Sequence, residues 1–184
     1  AETSSFDEAD MRQTTLNEAE FHSCSFVGAQ LTESKGRAVV WKKNTCTFID
    51  LSDVKFNEIT LFNSSFQQGV LDGIRLAKSH IKKCDFTQAS MTKALIASAN
   101  VEHSVFEQTN LSMSNWNEAT IEACTFDFSN LTRADLTSID TSTLDLKTCN
   151  LTDIHTDLGQ KPHYPIPEPK HLFIEMPWLA MNKK

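Results

Sequence analysis

Large apolar side chains recur along this chain at every fifth position. The series begins Phe6, Met11, Leu16, Phe21, Phe26, Leu31 and keeps its phase as far as Leu151. Of the 30 positions sampled, 27 carry Leu, Ile, Val, Met, Phe or Trp, and the exceptions are Gly36, Cys46 and Thr141. A helix repeats near 3.6 residues and a half-buried strand near 2, so neither explains an unbroken step of five. Two residues ahead of each centre lies a second set of small or compact residues, among them Ala9, Cys24, Ala29, Ser64, Ala89 and Ala134. The other three positions of each five are mostly polar. Each unit therefore reads as one short side of a coil, with two side chains directed inward and three outward.

Units such as Ala9-Asp10-Met11-Arg12-Gln13 and Ala134-Asp135-Leu136-Thr137-Ser138 resemble the pentapeptide-repeat family, whose motif is A-(D/N)-L-x-x. The resemblance covers residues 4 to 155. It implies an all-β fold, a right-handed quadrilateral β-helix in which four units complete one square turn. Like residues should then stack at a spacing of 20, and they do. One column reads Phe6, Phe26, Cys46, Phe66, Phe86, Phe106, Phe126, Leu146, and the next is dominated by leucine from Leu31 to Leu151. At about 4.8 Å per coil, about 7–8 coils make a rod on the order of 35 Å long. Relatives that protect type II topoisomerases often have two lobes joined by a glycine, or loops that interrupt the repeat. Here the phase never shifts, which predicts a single continuous lobe without projecting loops.

The repeat occupies residues 1–156, and residues 157–184 form a separate C-terminal tail. All five prolines lie in that tail, leaving the body free of a residue that cannot donate to a strand ladder. The stretch from His163 to Pro169 is expected to be extended, and Lys170 to Met176 to form a short helix stopped by Pro177. Phe173, Ile174, Met176, Trp178 and Leu179 give the tail an apolar side. It serves either as a cap over the last coil or, as the resemblance implies, as a homodimer interface.

Composition narrows the function. Of the 184 residues 40% are hydrophobic and 22% charged, a folded and not a disordered balance. No apolar run approaches the length of a membrane span. The net charge of −7 disfavours direct nucleic-acid binding. Cys24, Cys84 and Cys124 share one inward column but lie two or three coils apart, beyond disulfide reach. The histidines His22, His80 and His103 point outward, away from these thiols, so no metal site is expected. Five compact buried thiols fit a reducing, cytoplasmic setting or delivery within a secreted assembly. Carboxylates fall at outward, solvated positions, and a rod filled by its own side chains leaves no pocket to tune them. Neither catalytic residues nor a cofactor are expected.

Charge is distributed unevenly. Residues 1–34 carry seven acids and one base, residues 35–96 five acids and ten bases, and residues 97–156 nine acids and two bases. Lys42, Lys43, Lys82 and Lys83 fall on one face with Val40 and Phe62 among them, and Lys35, Lys55, Arg75 and Lys78 continue the belt on the adjoining face. The expected role is that of a non-enzymatic, rigid module binding a protein partner of unknown identity through Val40, Lys42, Lys43, Phe62, Lys82 and Lys83. Modules of this kind occur in bacterial secretion-associated and effector proteins. The resemblance also offers an alternative, a dimeric DNA mimic that modulates gyrase. A basic waist interrupts the continuous acidic surface such a mimic needs.

Overall fold

The computed structural model describes residues 1–157. Parallel bridges join residues 20 apart without exception, from Glu2↔His22 to Asp135↔His155. This is the spacing a four-sided coil of five-residue sides demands. The four sides are called faces one to four, centred in the second coil on Phe26, Leu31, Gly36 and Trp41. Regular strands concentrate on two of them. Face four carries β1 (Glu20–His22), β3 (Val40–Lys42), β5 (Thr60–Phe62), β6 (His80–Lys82), β7 (Asn100–Glu102) and β8 (Thr120–Glu122), paired in that order as a six-stranded parallel sheet. Face three carries β2 (Lys35–Arg37) and β4 (Lys55–Asn57). Faces one and two are built of single bridges.

Nearly every corner holds a residue in the left-handed region, with φ between 47° and 61° at 27 non-glycine positions. An isolated residue of this kind costs roughly 1–2 kcal/mol. Most are held by their backbone N–H donating to the next coil, as Gln88 N does to the Glu107 carbonyl at 3.0 Å. The Asp or Asn of the motif has a local task as well. Asp50 Oδ1 accepts from both the backbone N–H (2.9 Å) and the hydroxyl (2.6 Å) of Ser52. Asp85 with Thr87, Asn130 with Thr132 and Asp135 with Thr137 repeat the arrangement. The side chain thereby closes each turn from outside.

Phenylalanines stack down face one as the sequence predicts. Phe66, Phe86, Phe106 and Phe126 lie 5.0–5.1 Å apart with interplanar angles of 6–8°. The column is also continuous past Cys46, by a route the spacing does not reveal. Trp41 reaches across from face four and lies on Phe26, with centroids 4.5 Å apart at 25°, and on Phe66 at 6.1 Å. The small Cys46 leaves the room.

The second inward set is not uniformly compact. Val39, Ile49, Val54, Ile59 and Ile74 are fully buried members of it. The small positions beside them are Gly36 of the first set and Gly69 of the second. A Cβ placed on Gly36 would lie 2.5 Å from Val39 Cγ2, and one on Gly69 would lie 3.3 Å from Ile49 Cγ2. Volume is traded between columns at Gly36 and along one column at Gly69, as a close-packed interior requires.

One departure from the unbroken register occurs at Thr141. Bridging lapses on face four after β8, and Thr141–Thr143 form a 3₁₀ turn capped by Asp140, whose side chain accepts from Ser142 N. A compact polar residue at the inward position gives the coil nothing to bury there. Ile121 beneath it is only half-buried. Bridges resume at Asn130↔Asn150, so the lobe stays continuous. The expected tail contacts of Phe173, Ile174, Met176, Trp178 and Leu179 lie outside the described residues.

Candidate protein-interaction surface

Face four carries the longest run of regular strands, paired in one unbroken register. Three outward columns run along it. One reads His22, Lys42, Phe62, Lys82, Glu102, Glu122, each bridged to the next. A second reads Glu20, Val40, Thr60, His80, Asn100, Thr120. The third lies at the corner, where Lys43 and Lys83 occupy left-handed positions with Asn63 between them. Their backbones are tied upward, Lys43 N to the Phe62 carbonyl and Lys83 N to the Glu102 carbonyl, both at 2.9 Å.

The six residues singled out from sequence are thus brought together. Phe62 and Val40 are half-buried, and Lys42, Lys43 and Lys83 are exposed. One lysine pair lies a rung below Phe62 and the other a rung above, about 10 Å apart. The arrangement is a half-buried aromatic ring framed by ammonium groups.

Lys82 differs from the other three. It is half-buried and pairs with Glu102, one rung further on. The Lys82 ammonium, with Asn100 beside it, holds the Glu102 carboxyl below the usual carboxylate range. The basic patch therefore ends at Lys82, and Glu102 and Glu122 begin an acidic stretch. Sequence reasoning missed this partner although the signal was present, since 82 and 102 share a column. His80, bridged to Thr60 and Asn100, is a further exposed member of the surface.

The inward cysteine column has a role that spacing rules for bridges and metals do not reveal. At the corner after face four the turn is open, and the N–H of the next inward residue must find another acceptor. It finds a side chain one coil on. Cys24 N donates to Asn44 Oδ1 (2.8 Å), Asn44 N to Ser64 Oγ (3.1 Å), Cys84 N to Ser104 Oγ (3.1 Å) and Ser104 N to Cys124 Sγ (3.5 Å). Compact residues with an accepting atom are what this column needs. All five thiols are free, and burial pushes Cys84 up to about 12 and raises Cys46 as well. Among the described residues no three His, Cys, Asp or Glu converge on a metal position, and no helix is long and apolar enough to cross a membrane.

A four-sided coil with a filled interior and a right-handed turn defines the class, a quadrilateral β-helix. Two family models match the sequence, a pentapeptide repeat region over residues 41–116 and pentapeptide repeats in eight copies over residues 4–35 and 99–137. The chain belongs to the pentapeptide-repeat family. Among solved structures it is similar to a trypsin-treated variant of QnrB1, described as a plasmid-mediated fluoroquinolone resistance protein. That match has 21% identity over 86% of this chain and 89% of that one, with a TM-score of 0.54. It is also similar to HetL of the cyanobacterium Nostoc sp. strain PCC 7120, described as involved in heterocyst differentiation regulation. There the identity is 18%, the coverage 84% and 81%, and the TM-score 0.52. At these identities the likeness is one of fold. No curated protein matches the sequence significantly.

Proposed function

We propose that this chain is a non-catalytic, rigid binding rod whose face four docks an acidic protein surface. The observation that carries the proposal is the register Lys42↔Phe62↔Lys82, which sets an aromatic ring between cations on a parallel sheet. An apolar centre with a charged rim is the usual anatomy of a protein interface. Aromatic anchors supply most of the affinity, and the rim supplies steering and selectivity. Backbone pairing fixes where these groups leave the sheet, so the ordering cost on binding is confined to their side chains.

A suitable probe is a synthetic peptide rich in glutamate with one central aromatic residue, followed by fluorescence anisotropy at low salt. Reversing Lys42, Lys43 and Lys83 to Glu should weaken binding at least about tenfold, and Phe62→Ser should weaken it with little change in salt dependence. Unchanged binding by the triple variant overturns the reading. The alternative, modulation of a type II topoisomerase by DNA mimicry, calls for a continuous acidic face, and the lysine-bearing rungs oppose it. A supercoiling assay with purified gyrase tests it directly: no change at excess protein is expected, and inhibition or protection would replace the present proposal.

A further inference from the structure

Face three, unlike face four, stacks cations on three adjacent rungs of one column. Its central column is bridged rung by rung as Lys35, Lys55, Arg75, Leu95, Asn115, Asp135, His155. Three cations occupy adjacent rungs, about 4.8 Å apart, and like charges directly opposite one another on a sheet are destabilising. Among the described residues, none of Lys35, Lys55, Arg75 and the nearby corner residue Lys78 has an ion-pair partner within 4.0 Å. Beyond Leu95 the sign changes, to Asp135 in the same column and Glu118 at the corner. The waist between the two halves is small and uncharged, with half-buried Ala77, Leu95 and Ala97.

We infer that face three is a self-association surface on which a second copy of this chain packs antiparallel. A two-fold axis lying in the face, across the rod at the rung of Leu95, keeps every column over itself and reverses the rungs. Leu95 then meets Leu95 of the second copy, and Arg75 meets Asn115. Lys55 meets Asp135, and Lys78 meets Glu118. Each charged contact occurs twice, as an isologous interface requires. The outermost pair, Lys35 with His155, adds no attraction. Parallel packing in the same register would set lysine on lysine, so the pattern selects one orientation. Seven rungs, six spacings of about 4.8 Å, by one strand unit amount to roughly 300 Å² per partner, a small interface. The dimer is therefore weak and salt-sensitive, and both copies keep face four exposed. The surface is independent of the docking reading, and the two can fail separately.

Sedimentation velocity on the full chain tests this at about 50 mM and about 500 mM salt. A dimer at low salt that dissociates at high salt is expected. Lys55→Asp and Asp135→Lys should each raise the dissociation constant at least about tenfold, and the double variant should restore it. Leu95→Lys, which sets like charges on the two-fold axis, should also give monomer. All three positions are outward, Asp135 also closing its own turn on Thr137, and circular dichroism confirms folding of each variant. Lys42→Glu on face four should leave the dimer intact. A wild-type chain that stays monomeric at low salt overturns the inference, and so does a dimer that survives both single reversals.

Discussion

The coils around Cys46 and those around Phe86 solve one packing problem in two ways. Near Phe86 each rung supplies its own aromatic ring. Phe66, Phe86, Phe106 and Phe126 stack almost coplanar, and Trp116 adds an edge-on contact to Phe106 at 5.4 Å. Its indole N–H donates to Ser114 Oγ at 2.8 Å. Near Cys46 the rung is empty of its own ring, and Trp41 leaves its column to fill it. The Trp41 indole N–H is buried without a partner among the described residues. The residue two before it is Val39, which has no accepting side chain and instead occupies the space above Gly36. The contrast teaches that the five-residue period fixes where a side chain enters the core. It does not fix which space that side chain fills.

The largest expected effect breaks this contrast at its centre. Trp41→Ala should destabilise by about 3–5 kcal/mol in urea unfolding, as should Phe86→Ala. Cys46→Phe alone should cost about 1–3 kcal/mol, because Trp41 already occupies that rung. Trp41→Leu combined with Cys46→Phe should cost less than the sum of the two singles, since the ring then returns to its own column. Additive losses would show that the two positions do not share a space.

Orphaned corner amides come next. Asn44 accepts from Cys24 N and donates through Nδ2 to the Phe21 carbonyl, whereas Ser104 accepts from Cys84 N through its hydroxyl. Asn44→Ala should cost about 2–4 kcal/mol and Ser104→Ala about 1–2 kcal/mol by the same unfolding measurement. Gly36→Ala should cost about 1–3 kcal/mol through its clash with Val39, and Val39→Ala in the same chain should recover part of it.

The smallest effect concerns the surface. Lys82 is tied to Glu102, whereas Lys42 has no acid within 4.0 Å among the described residues. The Glu102 carboxyl is held below its ordinary value of 4.5, chiefly by its hydrogen bond from Lys82. A depressed carboxylate contributes stability above its unfolded value and loses it as the pH falls through the folded one. Lys82→Met should therefore remove a small part of the acid dependence below about pH 4.5, and Lys42→Met should leave it unchanged. Urea midpoints across that pH range decide between these outcomes.

Much of this molecule was legible in sequence because register is a backbone property. A strict step of five and a repeat of twenty placed Phe86 beneath Phe106, and set Lys42, Phe62 and Lys82 in one column, with no knowledge of side-chain conformation. What escaped was set by reach and by hydrogen bonding. Trp41 is long enough to leave its column, and only the void at Cys46 gives it a reason to. The five-residue pattern marks Ser64 and Ser104 only as compact inward residues, whereas at the open corners of face four their hydroxyls accept from the N–H groups of Asn44 and Cys84. The 3₁₀ turn at Thr141–Thr143 follows from a single polar residue at an inward position, which a count of 27 hits in 30 treats as a minor exception.

The constant rung height has a consequence for how such a molecule can change over time. Inserting or removing one full circuit of the chain slides every feature beyond it along the same edge and leaves its bearing untouched. A change of one unit instead swings all later features a quarter turn, from one side of the square to the next. Separation between two docking groups is thus graduated like the marks on a ruler, and orientation has four settings. Any partner that reads both is matched in whole steps, never by gradual drift.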